Sequence, residues 1–203
     1  MFAGPWKTAR MKLLKPKNRK IAIPLETERF VLEPMGYFQT LRVTNCWRRD
    51  PEILTAFYQS PKPRSLRKWM RSGLLPNNQT RFAFAIIPKG SDQPIGVEIV
   101  RFSGYRSASN MIALHKHKWR GKGVVFEIRA KIINHIFRSG DVDRFFSTVE
   151  GRNAASIFNY KRLGFNHVGT WHRHCRNPIT GDVSDLVCFE LLKENWDEGP
   201  WAE

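Results

Sequence analysis

Two glycines and several cations stand directly before a long apolar-periodic segment, in the stretch HKWRGKGVVFEIRAKIINHIF at residues 117–137. Gly121 and Gly123 allow positive φ and a close approach of the backbone to a ligand. The first amides of a helix have no intrahelical partner and lie at the positive end of its dipole, so this junction predicts an anion site. Arg120 and Lys122 add positive charge at its rim. The chemistry that fits is the binding of a phosphate or pyrophosphate.

The predicted anion site consists of consecutive residues, namely Arg120, Gly121, Lys122, Gly123, Val124 and Val125. The pattern is not GxGxxG, and it lacks the four-residue gap and the Lys-Ser/Thr ending of a Walker loop. A strand-to-helix turn with solvated lysines is the alternative interpretation. The β-branched Val125, at the start of the helix, is expected to crowd a bound anion.

Polar side chains recur on one face of a second helical segment, EGRNAASIFNYKRLGF at residues 150–165. Asn153 suits the N-cap of this helix, and Tyr160 returns to nearly the same face two turns later. Ser156 lies beside this stripe, and Gly164 ends the helix. Ordinary structural roles are also open, since Asn153 could serve only as a cap and Tyr160 only as a packed aromatic residue.

Strand and helix patterns alternate in the elements that must position these residues. Short apolar runs predict strands at 29–34, 81–87, 94–100, 111–118, 144–149, 165–171 and 183–192. Helical periodicity is found at 38–47, 51–60, 124–139 and 153–164. The predicted fold is α/β, a single domain with a mixed, mostly antiparallel twisted sheet and helices on both faces. Its predicted boundaries are a basic N-terminal arm at 1–24, the domain at 25–196 and a C-terminal tail at 197–203.

These motifs, in this order, resemble the GNAT superfamily of acetyl-coenzyme A dependent N-acyltransferases. The family's pyrophosphate loop reads Arg/Gln-x-x-Gly-x-Gly/Ala, and it is matched by Arg120, Gly121, Lys122 and Gly123. The family's later helix is matched at its spacing by Asn153, Ser156, Tyr160, Gly164 and Phe165. The stretches at 25–34 and 181–196 are similar to the branch that acetylates the N-termini of ribosomal proteins. The resemblance implies a single GNAT domain that takes acetyl-coenzyme A as its cofactor.

The resemblance also implies roles for particular residues. Acyl transfer to an amine needs a neutral amine and a proton for the departing thiolate, and a phenol such as that of Tyr160 can supply that proton. Asn153 resembles the residue that contacts the pantetheine arm, and Ser156 is an alternative catalytic residue. Glu98, His115 and His117 are the candidates for a general base, and the sequence leaves the choice among them open.

The charge of the chain is strongly positive, because 34 Lys and Arg against 18 Asp and Glu give a net charge of +16. Such a field attracts polyanions and repels cationic substrates. With this charge, the resemblance to the branch that acetylates ribosomal proteins implies a protein N-terminus or an amine on an RNA-bound scaffold as the acceptor, and the ribosome or a nucleic acid as a partner. The residues predicted to contact nucleic acid are Lys12, Lys15, Lys17, Arg19, Lys20, Arg64, Arg67 and Lys68. The alternative function is a non-catalytic GNAT-like module that binds nucleic acid or a large assembly through this basic surface.

Three cysteines at irregular spacing argue against a disulfide framework and favour a reducing compartment, the cytoplasm or alternatively an organelle matrix. No apolar run approaches the length of a membrane span, and no membrane partner is expected. His172, His174 and Cys175 invite a metal interpretation, but ligands packed this closely cannot close a tetrahedral site. We therefore expect no metal site, and an acyl-accepting role for Cys175 remains a minor alternative.

Overall fold

A computed structural model describes residues 20–56, 62–115, 117–176 and 180–202. The strands in this part of the chain are β1 Leu25–Glu26, β2 Phe30–Met35, β3 Arg81–Pro88, β4 Gly96–Ser103, β5 Ser107–Leu114, β6 Arg144–Glu150, β7 Asn166–Arg176 and β8 Val183–Leu192. The α-helices are α1 Tyr37–Val43, α2 Pro51–Ala56, α3 Leu66–Met70, α4 Val124–Ser139, α5 Ala154–Arg162 and α6 Lys193–Asp197. Two 3₁₀ helices cover Thr44–Arg49 and His117–Trp119.

The strands form one sheet in the order β1-β2-β3-β4-β5-β6-β8-β7. All neighbouring strands are antiparallel except β5 and β6, which run parallel. The long connection that parallel strands require is supplied by α4, which follows β5 and precedes β6. The predicted α/β class and the mixed, mostly antiparallel sheet are confirmed.

Helices cover both faces of the sheet, as the alternation of residues along each strand requires. In β3, Phe82, Phe84 and Ile86 point into the main core beneath α4. The intervening small residues of β3 face the opposite core, where Trp47 and Trp69 are fully buried. The large side chains of β3 therefore fill the core beneath α4, and its small side chains leave room for the two tryptophans of the opposite core.

The helix α4 is amphipathic, and its apolar stripe is buried against the sheet. Its core-facing residues are Val124, Ile128, Ile132, Ile133, Ile136 and Phe137, each nearly inaccessible to solvent. Gly123 is its N-cap, and Gly140 ends it by donating its backbone N–H to the Ile136 carbonyl. Glu127 in the first turn and Arg138 in the last complement the helix dipole. The predicted helix over 124–139 is confirmed.

The parallel strands β5 and β6 pair only where they begin. Ser107 pairs with Arg144 and Ala108 with Phe145, and no further register is formed although both strands continue. On its other side, β6 pairs with β8 from Arg144 to Glu150. The sheet therefore opens between the carboxyl ends of β5 and β6, and strand-edge backbone groups face this opening. In sheets with parallel neighbours such an opening is a preferred place for a ligand.

Two predictions for particular segments are wrong. The strand predicted at 111–118 begins four residues earlier, at Ser107, and ends at Leu114. A tight turn with Tyr105 and Arg106 in the left-handed region starts it early, and the 3₁₀ helix His117–Trp119 follows it. The helix expected over 38–47 becomes 3₁₀ at Thr44.

Packing extends beyond the predicted domain boundaries at both ends. Ile21 is buried, and its carbonyl oxygen accepts a hydrogen bond from Nε2 of His135 at 2.9 Å. Trp201 packs edge-to-face on Phe126 with ring centroids 4.7 Å apart, and its carbonyl accepts a hydrogen bond from Asn134. The boundaries at 25 and 196 stay predictions. In the described part of the chain, no helix is both long and apolar enough to cross a membrane.

Gly96 allows β4 to approach β5 closely just before the glycine loop. A Cβ atom at this position would lie 2.4 Å from the Ala113 carbonyl oxygen and 2.7 Å from Leu114 Cδ2. We expect Gly96→Ala to lower the free energy of unfolding by about 1 to 3 kcal/mol through overpacking against backbone. Gly104→Ala is the control, because nothing lies within 4 Å of a Cβ there. Equal stability of the two variants in urea unfolding would contradict this account of Gly96.

Candidate functional site

The loop that precedes α4 forms an open backbone cradle. Gly121 and Gly123 have φ of 73° and 72°, in the left-handed region that L side chains rarely adopt. Nothing lies within 4 Å of a Cβ built on Gly121, so the backbone is accessible from outside. Among the described residues, no side chain caps α4 at Gly123. The first amides of this 16-residue helix are therefore available to an anion, as the sequence predicts.

Arg29 and Glu127 fix the conformation of this glycine loop. The Arg29 guanidinium donates from Nη1 to the Lys122 carbonyl at 3.1 Å and from Nε to Glu127 Oε2 at 2.7 Å. Burial works against ionisation of Glu127, but hydrogen bonds from Thr27 and Arg29 bring its pKa below the ordinary value. Arg29 was not singled out from the sequence. The available signal was an arginine before the first long strand together with an acid in the first turn of α4.

The side chains predicted around the cradle have different surroundings. Arg120 donates from Nη1 to Glu52 Oε2 at 2.6 Å, while Lys122 is exposed. Val124 is buried in the core, so only its backbone can contact a ligand. Val125 is half-buried and packs against the main core, and its crowding of an anion stays a prediction.

The helix α5 begins at the same edge of the sheet as the cradle. It follows the carboxyl end of β6, as the cradle and α4 follow the carboxyl end of β5, its parallel neighbour. Asn153 is its N-cap, and the Asn153 side-chain oxygen accepts the backbone N–H of Ser156 at 3.1 Å. The capping role of Asn153 is therefore confirmed. Contact of Asn153 with a pantetheine arm and a catalytic role for Ser156 stay predictions.

Tyr160 lies in the core between α5 and the sheet, next to the opening between β5 and β6. It is 2% exposed, stacks on Phe189 and packs edge-to-face on Phe165. Its hydroxyl oxygen accepts a hydrogen bond from Ser147 of β6 at 2.7 Å. Either hydroxyl can donate in this pair, and with Ser147 as the donor the phenolic hydrogen of Tyr160 is able to pass to another group. The aromatic packing fixes the position of that hydroxyl.

A buried polar cluster lies beneath α4, formed by Glu98 of β4, Asn110 of β5 and Arg129 of α4. Glu98 is fully buried, and neither of its carboxylate oxygens has a hydrogen-bond partner among the described residues. Burial raises its pKa to about 8, although the charge of Arg129 and the amide of Asn110 act in the opposite direction. Arg129 is 5% exposed, and its Cζ lies 4.3 Å from the centroid of the Tyr160 ring. The cluster therefore connects Glu98 with Tyr160 through Arg129.

Arg129 is a further residue that the sequence analysis did not identify. The signal for it was an arginine at position 129, directly after Ile128 and about one turn before Ile132 within the buried stripe of α4. Glu98 has no exposed surface, and its role as general base stays a prediction. His115 is half-buried with Nε2 3.0 Å from the Pro94 carbonyl oxygen, and the side chain of His117 lies outside the described set.

Comparison with known proteins identifies the fold and its family. Residues 29–166, which include the cradle and α5, match the family model of the acetyltransferase (GNAT) domain. The chain belongs to the GNAT acetyltransferase family. As a member of this family it is an acyltransferase, and its single α/β domain is a GNAT domain.

Known GNAT proteins similar to this chain include one curated relative and many solved structures. An uncharacterized N-acetyltransferase p20 of Bacillus licheniformis is 27% identical over 179 residues, 85% of this chain and 97% of the relative. Spermidine N-acetyltransferase from Vibrio cholerae, solved with CoA and spermine, has a TM-score of 0.68 at 16% identity over 81% of this chain and 97% of its own. Ribosomal-protein-S5-alanine acetyltransferase from Vibrio fischeri has a TM-score of 0.64 at 17% identity over 86% and 98%. At these identities the solved structures show the fold alone.

The histidines and the cysteine near residue 172 lie on the edge strand β7. His172 Nδ1 lies 3.0 Å from Asp185 Oδ2, and Asp185 also accepts the backbone N–H of Arg173, whose φ is 56°. Burial, with the charge of Glu150, raises the pKa of the Cys175 thiol, which does not favour a nucleophilic thiolate. Among the residues that the structure describes, no group of three or more His, Cys, Asp or Glu is placed to hold a metal.

The residues predicted to contact nucleic acid are only partly described. Lys12, Lys15, Lys17 and Arg19 lie outside the described residues, and Lys20 is exposed. Arg67 and Lys68 are exposed on α3, and Arg64 is half-buried beside it. Trp69 is fully buried and donates from Nε1 to Thr44 Oγ1 at 3.2 Å. The Trp69 ring is therefore not available for stacking on a nucleic-acid base.

Proposed function

We propose that this protein transfers the acetyl group of acetyl-CoA to the α-amine of a protein N-terminus or to an amine on an RNA-associated acceptor. The observation that carries the proposal is the open glycine cradle at the start of α4, beside the opening between β5 and β6. A pyrophosphate matches the cradle in charge, and an extended amide-containing arm matches the free strand edges.

The residues present fit coenzyme A. The diphosphate would be held by the backbone amides of residues 121–125, with the exposed Lys122 at the rim. The pantetheine arm would lie along the opening, toward Ser147 and Tyr160. Acetyl-CoA supplies an activated thioester. The protein therefore needs to hold the thioester, orient the amine, let the amine lose a proton and give a proton to the leaving sulfur.

Tyr160 is the proposed proton donor. Its hydroxyl is fixed at the opening by Ser147 and by the packing of its ring on Phe165 and Phe189. A phenol retains its proton at neutral pH and can give it to a leaving sulfur whose conjugate acid is stronger. Ser156, on the same helix, is the alternative donor.

Charge supports an α-amine as the acceptor. The net charge of +16 disfavours a polycationic substrate such as a polyamine. An α-amine has a pKa of about 7.7 to 8.0 and needs little help to become neutral, whereas a lysine amine near 10.4 needs a base. A reducing compartment, which we propose to be the cytoplasm, agrees with Cys46, Cys175 and Cys188 all being free.

The proposal is tested by offering acetyl-CoA and three acceptor classes to the purified protein. The acceptors are peptides with free N-termini, N-terminally blocked peptides with one lysine, and spermidine, with products identified by mass spectrometry. We expect acetylation at the α-amine of the first class. Acetylation of spermidine alone, or of none of the three while acetyl-CoA binds, would contradict the α-amine of a protein N-terminus as the acceptor.

A second candidate property is binding of a nucleic acid by the basic surface around Arg67 and Lys68, which are exposed on α3. We expect Arg67→Glu with Lys68→Glu to weaken RNA binding and to lower the log-log salt slope by about two units. The control is Arg138→Glu with Lys161→Glu, an equal charge change at exposed positions of α4 and α5. An equal loss of RNA affinity in both double variants would show that net charge, rather than this surface, attracts RNA.

A further inference from the structure

Arg129 is the only arginine or lysine that is buried among the residues the structure describes. Its Nε and Nη1 atoms have no hydrogen-bond partner there. A buried cation with unsatisfied donors is costly, so its surroundings must offer other stabilisation or gain from its charge. A purely structural position on the apolar stripe of α4 would favour an aliphatic residue.

The guanidinium of Arg129 lies against the ring of Tyr160. The guanidinium carbon lies 4.3 Å from the ring centroid, within the range of a cation–π contact. Tyr160 is held in this position by Phe165 and Phe189 and is nearly inaccessible to solvent. Water therefore does little to screen the charge at this distance.

The carboxyl group of Glu98 does not close an ion pair with Arg129. The charge of Arg129 acts on Glu98, but neither Glu98 oxygen forms a hydrogen bond. Burial also favours the neutral form of Glu98 near neutral pH. The positive charge of Arg129 is therefore left to act on Tyr160.

We propose that Arg129 is a positioning residue for Tyr160. The charge of Arg129 stabilises the phenolate that forms when Tyr160 gives up its proton. The inference rests on the proposed function, in which Tyr160 is the donor. The O–H bond of Tyr160 breaks, the proton passes to the leaving sulfur of coenzyme A, and the electron pair stays on the phenolate oxygen. The proton lost by the acceptor amine returns to solvent, from which Tyr160 is reprotonated. A buried positive charge on the face of the ring favours the phenolate over the neutral phenol.

The first test needs neither cofactor nor acceptor. Ultraviolet absorbance reports tyrosinate, and subtracting the matching Tyr160→Phe chain isolates Tyr160 among the four tyrosines. The titrations use a Glu98→Gln background, which removes the one buried carboxyl group among the described residues. We expect less tyrosinate of Tyr160 at a given alkaline pH with Arg129→Met than with Arg129, and Arg129→Lys to restore part of the difference, because the cation lies on the face of this ring.

Circular dichroism confirms that each chain is folded at each pH, and Arg129→Gln replaces Arg129→Met where the latter does not fold. Formation of the tyrosinate at the same pH with and without the arginine would overturn the inference. This outcome is independent of the proposed function, because no substrate is present.

The second test is kinetic and separates the two proposals. We expect Arg129→Met to lower kcat about ten- to a hundredfold with KM for acetyl-CoA unchanged, and to have no further effect in a Tyr160→Phe chain. Full activity of Tyr160→Phe would remove the donor role itself. A slow Tyr160→Phe enzyme with a fully active Arg129→Met enzyme would remove only the inference about Arg129.

Discussion

Replacing Tyr160 by phenylalanine should slow acetyl transfer by about a hundredfold or more while the affinity for acetyl-CoA stays nearly constant. The substitution removes one hydroxyl and keeps the ring that packs on Phe165 and Phe189. The loss should therefore appear in kcat, because only the proton for the departing sulfur is missing. Steady-state kinetics on any acceptor found for the protein measures it.

Ser147→Ala is the matched control for this prediction, since it removes the other hydroxyl of the 2.7 Å pair and leaves the phenol in place. We expect a much smaller loss of kcat for this variant. A wild-type rate in Tyr160→Phe would return Tyr160 to a packing role and make Ser156, on the same helix, the leading donor.

Replacing Glu98 by glutamine should remove a large pH dependence of stability. Burial raises the pKa of Glu98 from its ordinary value of 4.5 to about 8, against the opposing effects of Arg129 and Asn110. Between these pH values the folded chain holds a proton on Glu98 that the unfolded chain has lost. The contribution of Glu98 to stability is therefore fully present below pH 4.5 and is lost as the pH rises to about 8.

The expected loss over this window is about 4 to 5 kcal/mol, from about 1.4 kcal/mol per pH unit. Urea unfolding of the wild type and of Glu98→Gln between pH 4.5 and 9 measures it as a difference, so other titrating groups cancel. Glu198→Gln, at an exposed glutamate, is the control and should retain the wild-type slope. Parallel pH profiles for wild type and Glu98→Gln would show that Glu98 titrates normally.

Much of the fold could be predicted from local patterns. The apolar stripe from Val124 to Phe137 predicts α4, because a 3.6-residue period repeated over four turns is typical of an amphipathic helix and does not fit a strand. Alternation and turn residues predict most strands. The β5 strand was misplaced because its start depends on the left-handed turn at Tyr105 and Arg106, a conformation that these residue types do not signal.

The glycine cradle and the cap at Asn153 could be predicted because their chemistry is local in sequence. The cluster of Glu98 with Arg129 and Tyr160 could not, because it joins residues from a strand and two helices that meet only in the folded core. The same holds for Arg29, which contacts the loop 93 residues later in the chain. Likewise, the burial of Trp69 within a basic segment could not be predicted, because composition does not show which side chains of such a segment are buried.

The most direct test of the account is the affinity of coenzyme A for two glycine variants, measured by isothermal titration calorimetry. Gly121 and Gly90 both have positive φ, 73° and 81°, and nothing lies within 4 Å of a Cβ at either position. Aspartate should thus cause similar backbone strain at both sites, but only Gly121→Asp places a side chain and a negative charge in the cradle. We predict that Gly121→Asp loses detectable binding of coenzyme A while Gly90→Asp binds like the wild type. Equal affinity in the two variants, or no binding by the wild type, would contradict the assignment of this loop as the pyrophosphate site.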